Sequence, residues 1–260
     1  MSDQYGLIGR KISYSKSPLI HAFMAKRLGM DITYELLDVE EDELSKLVKK
    51  LRNGIYKGFN VTTPYKQKIM SFVDQLTYKA QRIKAVNTLY VKGGKVIGDN
   101  TDYDGFLSLI ARHKIDVKDK NVYILGTGGA AKAAYVVLDD LGAKITVVTR
   151  HLVDIDPMYQ RVINYQMINP KEVDIYVNAT PIGVIPKIDE SVLERNQVDG
   201  QIVIDLIYHP EVTKLMSFSK ESYNGLSMLL VQALKSEEIW FERKIDVTDL
   251  LIKELKDVIL

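Results

Sequence analysis

The chain has 260 residues, 46% of them apolar, enough for one large or two modest globular domains with ordinary buried cores. Thirty-five basic residues stand against thirty-four acidic ones; the formal charge of +1 implies no field that would recruit nucleic acid or an anionic membrane, and points to small-molecule partners. No cysteine occurs, which excludes disulfides, thiolate nucleophiles and cysteine-bound metals and fits a reducing cytoplasm.

In chain order, the start Met1-Ser2-Asp3-Gln4-Tyr5-Gly6 has no basic segment followed by an apolar stretch. No apolar run approaches the ~18 residues that span a bilayer, so neither export nor anchoring is expected. Residues 5–8 read as a strand, 18–28 as a helix, 33–37 as a strand and 41–51 as a helix; Gly58-Phe59-Asn60-Val61 is a third strand ending at the turn Thr62-Thr63-Pro64. Such alternation predicts an α/β fold with a parallel or mostly parallel sheet. Residues 88–91 and 95–98 flank Gly93-Gly94, a hairpin signal that adds an antiparallel piece.

From Asn121 the pattern restarts: a strand at 122–125, a glycine turn, a helix near 131–141 and a strand at 144–149, together one βαβ unit. Strands at 175–178 and 202–206 each end in a polar or turn-forming residue, where a parallel sheet places its ligand crevice. A boundary near 103 therefore divides a first domain, 1–103, from a Rossmann-type dinucleotide-binding domain, 104–239. The apolar stripe Leu250, Leu251, Leu255, Val258 and Ile259 should return a C-terminal helix, within 240–260, to the first domain.

Two segments carry chemistry. Lys66 closes Asn60-Val61-Thr62-Thr63-Pro64-Tyr65-Lys66 and Asp102 closes Gly98-Asp99-Asn100-Thr101-Asp102; an amine and an acid framed by hydroxyls and amides suit proton work on a polyhydroxylated substrate. The turn Gly126-Thr127-Gly128-Gly129-Ala130-Ala131 has the form of a pyrophosphate cradle: Gly126 allows the bend, Gly128 lets backbone approach phosphate, and Ala131 permits close helix packing. The next strand ends at Thr149-Arg150-His151. Arg150, with no acid beside it, offers a bidentate fork to a 2′-phosphate and favours NADP over NAD, although Asp154 would repel a phosphate if it faced the same way. His21, His113, His151 and His209 lack ligand spacing, so they read as surface or packing residues and no metal is expected.

With Ser15-Lys16-Ser17-Pro18, the block ending at Lys66, Ala85-Val86-Asn87-Thr88, Asn100-Thr101-Asp102, the glycine turn, Asn178-Ala179-Thr180-Pro181-Ile182-Gly183 and Gly225-Leu226-Ser227-Met228 in this order, the chain resembles the shikimate dehydrogenases nearly end to end. The resemblance implies two α/β domains around a cleft, with Ser15 and Ser17 holding a substrate carboxylate. Thr62, Asn87, Asp102 and Gln232 would contact ring hydroxyls, and Lys66 and Asp102 would flank the hydroxyl that is oxidised. Tyr208, followed by Pro210 and Thr213, resembles the family's block near substrate and nicotinamide. The implied cofactor set is Gly126, Thr127, Gly128, Gly129, Ala130, Thr149, Arg150, Thr180, Leu206 and Gly225. The implied reaction is reversible NADPH-dependent reduction of 3-dehydroshikimate to shikimate, in the chorismate pathway to aromatic amino acids, by a monomer or homodimer.

Hydride arrival at a carbonyl leaves charge on oxygen, so a positioned N–H donor lowers the barrier, typically by ~10²- to 10⁴-fold, and Lys66 is that donor. The chain departs from the family pattern at Arg10-Lys11, where Asn-Pro is common, at Lys84, where glycine is usual, at His209, at Val184 and in the phosphate clamp itself. Two alternatives stay open on the sequence: a quinate/shikimate enzyme using NAD, and a non-catalytic regulator that binds dinucleotide or shikimate-like ligands.

Overall fold

A computed structural model describes residues 2–198 and 200–260, which divide into two compact units. One comprises the residues up to Gly105 together with Leu230–Leu260; the other is Phe106–Leu229. The chain leaves the first unit within one helix and re-enters it within another.

The first unit holds strands β1 (Asp3–Gly9), β2 (Ile32–Asp38), β3 (Gly58–Val61), β4 (Gln75–Leu76), β5 (Thr88–Lys92) and β6 (Lys95–Asp99) in the order β2-β1-β3-β5-β6-β4. β1 runs parallel to β2 and β3, whereas β5 is antiparallel to both β3 and β6, as the Gly93-Gly94 hairpin requires. Helices α1 (Ser17–Leu28), α2 (Leu44–Arg52) and α3 (Tyr78–Ile83) follow the strands. α1 stops at Gly29, whose left-handed φ of 69° turns the chain so that the Met30 amide reaches the Ala25 carbonyl at 2.9 Å. α2 begins later than its pattern predicts. Glu41–Glu43 form a 3-10 turn closed by a reciprocal Glu40–Glu43 capping box, and the α-helix proper starts at Leu44, burying Leu44, Leu47, Val48 and Leu51 on one stripe.

Helix α4 (Asp102–Arg112) leads into the second unit, where every strand pair is parallel. Its strands are β7 (Asn121–Leu125), β8 (Lys144–Thr149), β9 (Val162–Asn164), β10 (Ile175–Asn178), β11 (Ile202–Asp205) and β12 (Glu221–Asn224), in the order β12-β11-β10-β7-β8-β9. The chain starts at the centre with β7, follows α5 (Gly129–Asp140) outward to β8 and β9, then crosses back to β10. This reversal beside β7 is the topological switch point at which open α/β sheets bind ligands.

Helix α6 (Leu226–Trp240) returns to the first unit and α7 (Asp249–Ile259) packs against α1, with Arg27 Nη1 2.6 Å from Glu254 Oε2. The buried stripe of α7 is narrower than its sequence suggests: Leu251, Leu255 and Ile259 are buried, while Leu250 is 62% exposed. Leu251, Leu255 and Ile259 recur every fourth residue, and Leu250 sits beside that row on the solvent side. Among the described residues no helix is long and apolar enough to cross a membrane.

Candidate active site and dinucleotide cradle

Backbone bonds fix three segments of the first unit against one another before any side chain is considered. Beyond β3, the Tyr65 amide donates to the Thr62 carbonyl at 2.9 Å, and the Lys66 carbonyl accepts from the Val86 amide at 2.7 Å. The Asn87 carbonyl accepts from Val61 N at 2.8 Å, and the Asn87 amide donates to Asp99 O at 3.0 Å. Asn100 then folds the chain into α4: its Nδ2 donates to Ala85 O at 2.9 Å and its Oδ1 accepts from the Asp102 amide at 3.1 Å. The result places Lys66 Nζ 2.5 Å from Asp102 Oδ2, with the lysine side chain 20% exposed and the aspartate 8%. Asp102 also opens α4, where a carboxylate gains from the helix dipole, typically about 0.3–1 kcal/mol.

Asn87 joins the pair to its surroundings. Its Oδ1 accepts from Thr101 N at 2.8 Å and from Thr88 Oγ1 at 2.9 Å, so its Nδ2 faces Asp102 Oδ1 at 2.9 Å and Gln232 Oε1 at 3.4 Å. Four of the expected residues, Lys66, Asp102, Asn87 and Gln232, are thus brought together. Ser15 and Ser17 form their own pair: Ser15 Oγ donates to Ser17 Oγ at 3.2 Å and accepts from the Ser17 amide at 3.3 Å. Thr62 is half-buried beside Gly9, where any Cβ would come within 2.6 Å of Thr62 Cγ2. Tyr208 lies in the second unit, half-buried just after β11.

Several residues of this cluster escape sequence reasoning. Asn60 Nδ2 donates to Ser236 Oγ at 2.9 Å, its Oδ1 accepts from the Tyr34 hydroxyl at 2.8 Å, and Ser236 Oγ lies 2.8 Å from Thr88 Oγ1. His21 is a packing residue that also makes a polar contact: it is fully buried, with Nδ1 2.7 Å from Glu237 Oε1 and its ring stacked on Tyr34 at 4.2 Å. Burial raises the Glu237 carboxyl above its ordinary range, against the opposing pull of His21. A signal was present in an acid interrupting the apolar face of α6, but its partner, two hundred residues away, was not.

In the second unit the cradle follows from glycine geometry. Gly126 has φ +108°, a left-handed conformation that a side chain would strain, and a Cβ there would sit 3.2 Å from Ala179 O. Gly128 caps α5 in an extended conformation, φ −71° and ψ −177°, with no side-chain cap and nothing within 4 Å of where a Cβ would stand. The first amides of α5, at Gly129 and Ala130, therefore have no capping side chain, and Thr127 and Gly128 are exposed above them, a fit for an anionic pyrophosphate. Ala131 is fully buried, as tight packing of helix on strand requires.

Thr149 ends β8, and Arg150 and His151 are exposed after it. The loop beyond is braced: Lys132 Nζ, on α5, holds Asp156 Oδ2 at 2.6 Å, and Tyr135 stacks edge-on with Tyr159 at 5.1 Å. At the far strands, Asn178 Oδ1 accepts from Thr180 Oγ1 at 2.7 Å while its Nδ2 donates to Asp205 Oδ1 at 3.0 Å. Burial raises the Asp205 carboxyl above its ordinary range, although hydrogen bonds from Thr213, the Ile207 amide and Asn178 oppose the rise. Leu206 follows, its amide bonded to Asn178 O at 2.9 Å, and at Gly225 a Cβ would fall 2.1 Å from Leu206 O, so only glycine fits.

Comparison with known proteins decides the family. Residues 7–89 match the shikimate dehydrogenase substrate binding domain. The NADP(+) shikimate dehydrogenase of Clostridium beijerinckii is 38% identical over 252 residues, covering 93% of each chain. The chain belongs to the shikimate dehydrogenase family. Among solved structures, shikimate dehydrogenase 1 of Peptoclostridium difficile superposes with a TM-score of 0.89 at 36% identity over 99% of both chains. The Thermus thermophilus shikimate 5-dehydrogenase in complex with NADP(H) and shikimate gives 0.87 at 27% identity, over 99% of this chain and all of that one.

Membership also gives two of the departures a physical reading. Lys84 ends α3 at φ 54°, ψ 38°, the left-handed region where glycine is at ease, so a lysine costs roughly 1 kcal/mol there. Lys11 is likewise left-handed at φ 54°, and its amide donates to Asp38 Oδ2 at 3.1 Å beside an Arg10–Asp38 ion pair of 3.2 Å. The Lys11 amide, then Arg10, holds the Asp38 carboxyl below its ordinary range.

Proposed function

We propose that this chain catalyses the reversible NADPH-dependent reduction of 3-dehydroshikimate to shikimate, in the chorismate pathway, with Lys66 and Asp102 as its catalytic pair. The observation that carries the reading is the 2.5 Å contact between Lys66 Nζ and Asp102 Oδ2, framed by Asn87 and Gln232. A lysine ammonium has three hydrogens; with one given to Asp102, two stay available to a substrate oxygen. NADPH, when bound, supplies the hydride. Lys66 then stabilises the charge that develops on the carbonyl oxygen and delivers the proton from Nζ, while Asp102 holds the amine in place.

Around that centre, Asn87 and Gln232 offer amide donors and acceptors to ring hydroxyls, Ser15 and Ser17 offer hydroxyls to a carboxylate without adding charge, and Thr62 and Tyr208 complete the substrate set. Gly126 to Ala130 hold the pyrophosphate through the N-terminus of α5, Arg150 with Thr149 holds the 2′-phosphate, and Thr180, Leu206 and Gly225 line the nicotinamide end. The partners are small molecules, taken up by a monomer or homodimer.

The test is Lys66→Met, which keeps the stem and deletes the donor. Turnover with shikimate and NADP should fall by about 10²- to 10⁴-fold, while the shikimate dissociation constant measured calorimetrically stays close to wild type. Wild-type turnover in this variant would remove Lys66 from its role. Quinate and NAD, assayed in parallel, separate this activity from that of a quinate enzyme.

A further inference from the structure

Ser236 lies on α6, fully buried, one turn beyond Gln232. Its hydroxyl oxygen is surrounded by four polar atoms: Asn60 Nδ2 at 2.9 Å, Thr88 Oγ1 at 2.8 Å, Thr101 Oγ1 at 3.2 Å and Gln232 O at 3.2 Å. A hydroxyl has one proton and two lone pairs, so this environment is saturated. Each neighbour is in turn oriented by something else. The Tyr34 hydroxyl donates to Asn60 Oδ1, which turns the Asn60 amide so that its Nδ2 faces Ser236. Thr88 Oγ1 donates to Asn87 Oδ1 at 2.9 Å, and Thr101 Oγ1 lies 3.2 Å from the same oxygen.

We propose that Ser236 is a positioning residue for the catalytic pair: it fixes the Thr88 hydroxyl, which together with the Thr101 amide holds the Asn87 amide with Oδ1 inward and Nδ2 on Asp102. The inference rests on the assignment of Lys66, Asp102 and Asn87 to the active site. An amide has two orientations related by a half-turn, and only the donor-outward one gives Asp102 a hydrogen bond; the reverse would set two acceptors, Asn87 Oδ1 and Asp102 Oδ1, against each other. The choice is made by groups that never meet the substrate. Because Asn60, Thr88, Thr101 and Ser236 are buried, no water replaces a missing partner cheaply, and loss of the Ser236 hydroxyl takes from Asn60 Nδ2 its shortest bond and from Thr88 Oγ1 its 2.8 Å partner. Ser236 also ties this orientation to α6, since its neighbour along the helix is Gln232 itself.

The experiment is a double-mutant cycle between Ser236→Ala and Asn87→Ala, read by steady-state kinetics with shikimate and NADP and by thermal melting. Ser236→Ala should lower kcat about tenfold, the effect of one or two buried hydrogen bonds, with KM for shikimate changed by less than about threefold. In an Asn87→Ala background the same substitution should change kcat by less than about twofold, because the amide it orients is gone. A merely structural serine would lower the melting temperature and leave kcat of the folded enzyme alone, or would act with full effect in both backgrounds; either result overturns the proposal. If Asn87→Ala itself leaves turnover intact, the assignment of the active site fails instead. Should Ser236→Ala not fold, Thr88→Val breaks the same link from β5 and carries the same expectations.

Discussion

Replacing Gly128 with alanine should leave the fold intact and still cripple NADP binding. The backbone at this position, φ −71° and ψ −177°, is one that alanine adopts freely, and its Cβ would meet no heavy atom within 4 Å. Restricting the unfolded chain favours the alanine variant by about 0.4–1 kcal/mol. The weaker helix-capping of alanine opposes it by an amount of the same order, about 0.5–1 kcal/mol. The two nearly cancel, so the melting temperature of the cofactor-free protein should shift by no more than about 2–4 °C. The unfilled space is nevertheless where a pyrophosphate must come to reach the first amides of α5. Each amide bond to a charged oxygen that is forfeited is worth about 1.5–3 kcal/mol, which converts to a rise of roughly ten- to hundredfold in the NADPH dissociation constant. Fluorescence titration of NADPH and a cofactor-free melt are the two measurements. Unchanged affinity in a normally folded variant would refute the cradle. Gly225→Ala is the contrasting control: with Leu206 O 2.1 Å from its Cβ, it should fail in the melt.

Arg150→Gln should raise the NADP dissociation constant by about tenfold or more, the loss of a charge-assisted bond, and leave NAD binding unaltered; equal effects on both cofactors would make Arg150 an ordinary surface charge. Asp205→Asn should reveal the burial of that carboxyl through pH. A carboxyl raised in the folded state contributes most stability below its unfolded titration and loses it as pH climbs through the folded one, so the neutral variant should gain on wild type over the range in which pH rises above the ordinary carboxyl value of about 4. A stability difference that stays flat in urea titrations across that range would count against it.

The strands that sequence finds are those whose patterns are local. Residues 144–149 and 175–178 are read to the residue because parallel strands covered on both faces are continuous apolar runs bounded by turns. What escapes is short or tertiary. β4 has two residues, β9 three, and α3 six; each is too brief for a period to declare itself. α4 escapes because its opening residues look like a turn, Asn100-Thr101-Asp102, until Asn100 caps back onto Ala85. The same holds for the polar cluster. Lys66 and Asp102 stand out by residue type and motif, whereas Ser236, Asn60 and the His21–Glu237 pair are defined by partners far away in sequence. Exposure of Leu250 and Val258 reflects a helix that needs one row of contacts on α1, where the sequence offers more apolar residues than the row can hide.

The Lys132–Asp156 tether has a practical corollary. Residues 150–155 form a short span strung between two fixed posts, Thr149 in the sheet and Asp156, which is tied to Lys132 of α5. Retargeting this protein from one nicotinamide dinucleotide to the other then becomes a problem of rewriting that span at constant length. Libraries that spare both posts should retain folded clones, and those that randomise Asp156 should lose them.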